Sequence, residues 1–217
     1  MTEGLRERKK RQTRRRISEV ATGLFVERGF EHVTIAEVAE AAEVSVNTVY
    51  NYFQAKEDLV LPPEEASPRR LADIVRHRPP GESAARAVLA HLRDEVHRRD
   101  RKLGLTEGFG RVFEMMRAAP TLTARLGDLG QQMTDALAVE LAEETGAAPD
   151  DPLPRVVAFQ LGCFHSLIYG EIGKRTAAGE SPEAIAEAVL ELLDVVEDLL
   201  GERVLTYAVR EGRPSSG

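Results

Sequence analysis

The chain has one cysteine in 217 residues, Cys163, so it can form no internal disulfide. That fits a reducing compartment. Cys163 sits in an apolar helical run and reads as a small core residue. No apolar run reaches about 18 residues, which excludes a membrane-spanning helix. The opening MTEGLRERKKRQTRRR holds no apolar leader, so a cytoplasmic location is expected. Catalytic and metal-binding signatures are also missing. There is no HExxH; His91, Glu95 and His97 are neighbours in sequence, but 95 and 97 do not share a helix face. Cys163 and His165 point apart, and His165 reads as a satisfied structural histidine. The stretch GLTEGFG at 104–110 is not a phosphate-cradling fingerprint, and no strand precedes it. No enzyme activity, metal or cofactor is therefore expected, and no internal repeat is present.

Lysine is scarce as well: 24 of the 29 basic residues are arginine, which fits a GC-rich genome as well as a function. The net charge of −7 argues at first against nucleic acid. Its distribution argues the other way. Residues 1–16 hold eight Lys/Arg and two Glu, leaving −13 on the other 201 residues. A basic arm on an acidic body is the asymmetry of a protein with one DNA-facing end. Residues 1–12 read as a disordered arm that orders on binding.

Helical periodicity runs through the rest, with 42% apolar residues, enough for a real core. Thr13–Arg28 carries a stripe of Ile17, Val20, Ala21, Leu24 and Phe25, stopped by Gly29. In VTIAEVAEAAEVSVNTVYNYFQAK, residues 33–56, Thr34 and Glu37 form a capping box, with Val33 and Val38 as a staple. Glu43 and Val44 make a turn, and Ser45 caps a second short helix, Val46–Phe53. Val46, Val49 and Phe53 are expected to pack inward. Asn47, Thr48, Asn51 and Tyr50 face elsewhere, and short polar side chains there suit base edges and phosphates. Taken alone, the pattern also fits, less well, a helical hairpin in a core.

Lys56–Leu61 begins a fourth helix, broken at Pro62-Pro63 and continued over Pro68–Arg78. Further helices are expected over Ser83–Arg99, around Phe109–Met116, from Leu122 to Leu141, over Pro154–Ala178, and from the Ser181 cap with Pro182 at its first position. VLTYAV at 204–209 is ambiguous between helix and strand, and GRPSSG is expected to be disordered. The architecture is all-α: a three-helix helix-turn-helix domain over 13–60, a larger helical domain over 61–203, and a tail over 204–217.

Residues 11–60 resemble the TetR family of bacterial transcriptional regulators. The resemblance rests on Arg16-Ile17, Ala21, Leu24-Phe25, Gly29-Phe30, Thr34, Val38-Ala39, Ala42, Val44-Ser45, Thr48-Val49-Tyr50, Tyr52-Phe53 and Lys56-Glu57-Asp58-Leu59. The rest of the chain fits only in length and helical character. The resemblance implies a homodimer on a palindromic double-stranded DNA operator, released by a small apolar ligand. Ser45, Asn47, Thr48 and Asn51 would contact bases or phosphates. Tyr50 and Tyr52 would meet phosphates or thymine methyls, Lys56 a phosphate, and Thr34 would offer its backbone to one. Phe109, Phe113, Met116, Met133, Leu137, Phe159, Phe164 and Tyr169 are candidates for the ligand pocket, although each taken alone reads more readily as ordinary core. Gly162, Ser166, Gly170 and Gly173, with Ile185, Val189 and Leu192, are candidates for the dimer interface, with packing inside the chain as the other use. Two positions depart from the family. Glu43 stands where glycine is usual, at a cost of about 1 kcal/mol if the backbone is left-handed. Asn47 replaces a small or basic residue. Two other functions stay open: a DNA-blind protein of this fold acting through protein contacts, and an activator.

Overall fold

Arg, Lys, Gln and Glu are all good helix formers, and the computed structural model carries helix through the basic segment. It describes residues 4–61, 67–99, 103–105 and 109–211. Helix α1 spans Leu5–Arg28, eight residues longer at its start than the periodicity suggests, with Glu7 in its first turn. The described part of the expected disordered arm is thus helical, because propensity there does not need an apolar stripe. Pro62-Pro63, residues 106–108 and the 212–217 tail, on which sequence expectations were placed, lie outside the described residues.

The chain divides into two units, Met1–Ala66 with Arg111–Leu126, and Ser67–Gly110 with Gly127–Gly217. In the first, Ile17, Ala21 and Phe25 of α1 are buried, and Gly29 ends the helix at φ 86°. Helices α2 (Ile35–Ala41) and α3 (Val46–Tyr52) pack on α1 through Val38, Ala39, Val49 and the capping Phe53. The expected start of a fourth helix at Lys56 is a single 3-10 turn, Glu57–Leu59. Helices α6 (Phe109–Ala118) and α7 (Pro120–Thr145) lend this core Val112, Met115, Met116 and Leu122, and Ala119 between the two helices joins them. The expected boundary at residue 60 therefore leaves out a later segment, which local pattern cannot assign.

The second unit is built from α4 (Arg70–His77), α5 (Ala84–His97), most of α7, α8 (Leu153–Ala177), α9 (Pro182–Leu199) and the short α10 (Glu202–Leu205). Ile185, Val189, Leu193 and Val196 form the buried face of α9. A Cβ on Gly162 would lie 2.3 Å from Thr134 Oγ1, so glycine lets α8 approach α7. Residues 204–211 are not a free tail. Gly81 N–H donates to Arg210 O at 2.8 Å, and Arg210 N–H to Glu82 O at 3.0 Å. Arg78, 3% exposed, donates to Val75 O, Glu82 O and Ala208 O and to both oxygens of Glu144. A periodicity scan could not see this docking, because backbone pairing and one arginine carry it.

Candidate nucleic-acid interface

Local chemistry sets the helix-turn-helix. Thr34 Oγ1 accepts from Glu37 N–H at 3.2 Å, and Glu37 Oε2 accepts the Thr34 N–H at 2.8 Å, completing the capping box. Those hydrogen bonds from Thr34, with Arg28 nearby, hold the Glu37 carboxyl below the usual range. The backbone N–H that the resemblance offers to a phosphate is thus held by Glu37 in this structure.

The turn is a Schellman motif: Val44 N–H donates to Ala39 O at 2.9 Å and Glu43 N–H to Glu40 O at 3.0 Å. Glu43 takes the left-handed position, φ 52°, where glycine is favoured. Ser45 then caps α3, accepting from Thr48 N–H at 3.0 Å.

Helix α3 buries Val49 and leaves Ser45, Asn47, Tyr50 and Asn51 exposed, with Thr48 half-buried. Val46, expected inside, is 38% exposed. It stands on the first turn, where the inward face set by Val49 and Phe53 has not yet met its neighbours. Tyr50 is 56% exposed, whereas Tyr52 is half-buried and packs on the core. Lys56 does not begin a helix. Its Nζ donates to Phe30 O at 2.5 Å and lies 4.3 Å from the centre of the Phe30 ring.

Arg14 escaped the sequence reading, and Arg16 entered it only as part of the family pattern. Arg14 lies over the Phe53 ring at 5.1 Å, and Arg16 Nη2 donates to Ala42 O at 2.5 Å. They tie α1 to the ends of α3 and α2. Nothing local separates them from Arg6, Arg8, Lys9, Lys10 and Arg15, which are exposed along α1.

The other candidate residues are dispersed. Phe113 and Met116 belong to the first unit, and Met116 packs on the helix-turn-helix core. In the second unit Met133 and Leu137 are buried in α7, Phe109, Phe164 and Tyr169 are half-buried, and Phe159 is 60% exposed. None of the eight lines the groove of about 510 Å³ beside Phe30 and Met115 or the polar one of about 720 Å³ beside Arg76 and Arg210. Helical spacing gives a face but not its neighbour, so it could not sort them. Of the dimer candidates, Gly162, Gly173, Ile185 and Val189 are buried inside the unit, Leu192 is half-buried, and Ser166 and Gly170 are exposed. Ser166 and Gly170 share their exposed side of α8 with Val156, Phe159 and Leu167, and Val195 and Leu199 are exposed on α9. Cys163, read from sequence as a core residue, is exposed on that same side of α8.

Residues 17–61 match the family described as bacterial regulatory proteins, tetR family. The chain is 32% identical over 163 residues to the HTH-type transcriptional regulator TcmR of Streptomyces glaucescens, covering 71% of this chain and 70% of that protein. It is 45% identical over 47 residues to the HTH-type transcriptional regulator LuxR of Vibrio harveyi, covering 22% and 23%. The crystal structure of NalD, the secondary repressor of the MexAB-OprM multidrug efflux pump in Pseudomonas aeruginosa, matches in fold with a TM-score of 0.52 at 22% identity, over 86% of this chain and 97% of that one.

Proposed function

The chain belongs to the TetR family of bacterial transcriptional regulators, and on that premise we propose that it is a repressor that binds a palindromic operator as a homodimer and leaves it when a small ligand binds. Membership makes it a DNA-binding helix-turn-helix regulator and not an enzyme. Among the described residues no helix is long and apolar enough to cross a membrane.

The free face of α3 carries the reading. A capped helix of seven residues presents Ser45, Asn47, Thr48, Tyr50 and Asn51 beside an α1 that is basic at its outer end. Amide and hydroxyl side chains read base edges in the major groove, and cations hold phosphates. Tyr52, Thr34 and Lys56 then contribute from positions partly committed to the fold. The exposed apolar residues of α8 and α9 support the dimer, since a patch of that kind marks an interaction surface. Two recognition helices must sit roughly 34 Å apart to read one face of DNA. A ligand that prefers another dimer geometry would disturb that spacing.

The test is selection of bound sequences from random DNA, followed by titration of the recovered site at fixed salt. A palindrome should emerge, Asn47→Ala and Tyr50→Ala should each weaken binding by about tenfold or more, and a reporter behind the site should be silenced by the chain. Recovery of no common sequence would favour the DNA-blind alternative. Reporter activation would reverse the sign of regulation.

A further inference from the structure

Helix α3 carries no cation: Val46–Tyr52 reads VNTVYNY, with no Lys or Arg. The commonest specific contact to guanine is an arginine or lysine set on its O6 and N7 acceptors, and α3 has neither. Arg14, Arg16 and Lys56 are held within the unit, Arg14 over the Phe53 ring and the other two on the carbonyls of Ala42 and Phe30. The hydroxyls of α3 discriminate little. Ser45 Oγ accepts the Thr48 N–H at 3.0 Å and shares a hydrogen bond of 2.8 Å with Thr48 Oγ1, so both serve the cap. A hydroxyl both donates and accepts, so it suits either kind of base, and this holds for Tyr50 as well. Tyr52 packs on the core.

What remains is a pair of amides. Asn47 and Asn51 are both exposed, and no hydrogen bond among the described residues engages either side chain. They stand two residues before and two after Val49, which is wholly buried. At about 100° per residue, each lies about 160° around the helix from Val49, on the face turned away from the core. Four residues advance the helix by about 6 Å, close to two base-pair steps of about 3.4 Å. A side-chain amide presents an oxygen acceptor beside an NH2 donor. Adenine presents the complement in the major groove, an N6 donor beside the N7 acceptor, whereas guanine presents two acceptors there.

We propose that Asn47 and Asn51 set the sequence specificity of α3, and that they read two adenines, no more than two steps apart, in each half of the operator. Each amide oxygen accepts from N6 of its adenine, and each NH2 donates to N7. Guanine at either position would set its O6 acceptor against the amide oxygen. The proposal rests on the reading that the chain binds a palindromic operator through α3, and it supplies the bases that this reading leaves open.

The test uses the full chain and the DNA it selects from random sequence. Two adenines within three successive base pairs should recur in each half-site. In the recovered site each is then replaced by deaza-adenine, which pairs normally but has carbon in place of N7. Each replacement should weaken binding about tenfold. Diaminopurine, which adds an amine in the minor groove only, should leave binding unchanged, and a loss there as large as with deaza-adenine would overturn the proposal. Asn47→Ala should cancel the deaza penalty at one adenine and Asn51→Ala at the other, with circular dichroism showing that both variants fold. No deaza penalty, or one that survives in both variants, would equally overturn it. A palindrome that carries guanine at these positions, or lacks the paired adenines, overturns the base assignment and leaves the regulator reading standing. Recovery of no common sequence overturns both.

Discussion

Arg125 donates twice to one oxygen of Asp58, from Nε at 3.2 Å and from Nη2 at 3.0 Å, while the other oxygen accepts the Ala55 N–H at 3.1 Å. This pins the chain just after the recognition helix to α7, inside the first unit. Asp58→Ala removes all three bonds and should destabilise that unit by about 1–3 kcal/mol, read as a lower denaturation midpoint. Arg125→Lys cannot reproduce the fork, and its midpoint should fall between the two. An unchanged midpoint in Asp58→Ala would show that water replaces the contact at no loss.

Glu43 sits at φ 52° in the Schellman turn. Glu43→Gly should stabilise the protein by about 1 kcal/mol, because only glycine takes the left-handed region without strain. Glu43→Ala keeps a Cβ and should give no such gain. Equal effects would mean that the charge at 43, and not the backbone, sets the cost.

These two sites show what was legible in the sequence. The caps at Thr34, Ser45 and Ser181, the stop at Gly29 and the glutamate in the turn each act over three or four residues, so their chemistry is written locally. The exposed face of α3 followed from the same local pattern, apart from Val46. What the sequence hid was always a choice among distant partners. Ile185 and Val189 repeat at helical spacing, yet that pattern is the same whether the stripe meets α8 of its own chain or a second copy. Likewise, Val112, Met115 and Met116 show no local sign that they complete a core begun ninety residues earlier. The juxtaposition of Arg70, Glu95 and His165 depends on three helices meeting, and spacing along the chain could not reveal it.

Cys163 lies on the exposed apolar side of α8, with Phe159 and Leu167 near it in sequence. If that face pairs two chains with Cys163 close to the two-fold axis, the two thiols come near one another. A short bis-maleimide should then link the protein into dimers through its only cysteine. Leu199→Glu, at a position 77% exposed on α9, should weaken association measured by sedimentation. A chain that sediments as a monomer and is not linked would rule this face out.

His165 is held neutral by burial, with a pKa of about 4 against an ordinary 6.5, while Arg70, His91 and Glu95 surround it. The unfolded chain binds a proton at this residue between those values and the folded chain does not. Stability should therefore fall as the pH drops from about 6.5 towards 4, by on the order of 3 kcal/mol from this group. His165→Phe should remove that part of the slope, as followed by urea midpoints across the range. An unaltered slope would place the pH dependence on the carboxylates.

The buried guanidinium of Arg78 meets the carbonyl of Ala208, 130 positions further along the chain. Synthesis runs from the N-terminus, and a domain folds as a unit once its parts are available. The corner between α4 and α5 leaves the ribosome well before the backbone that seals it. The second unit therefore cannot close until Ala208 has followed, and a chain cut before that point would keep every long helix and lose the latch.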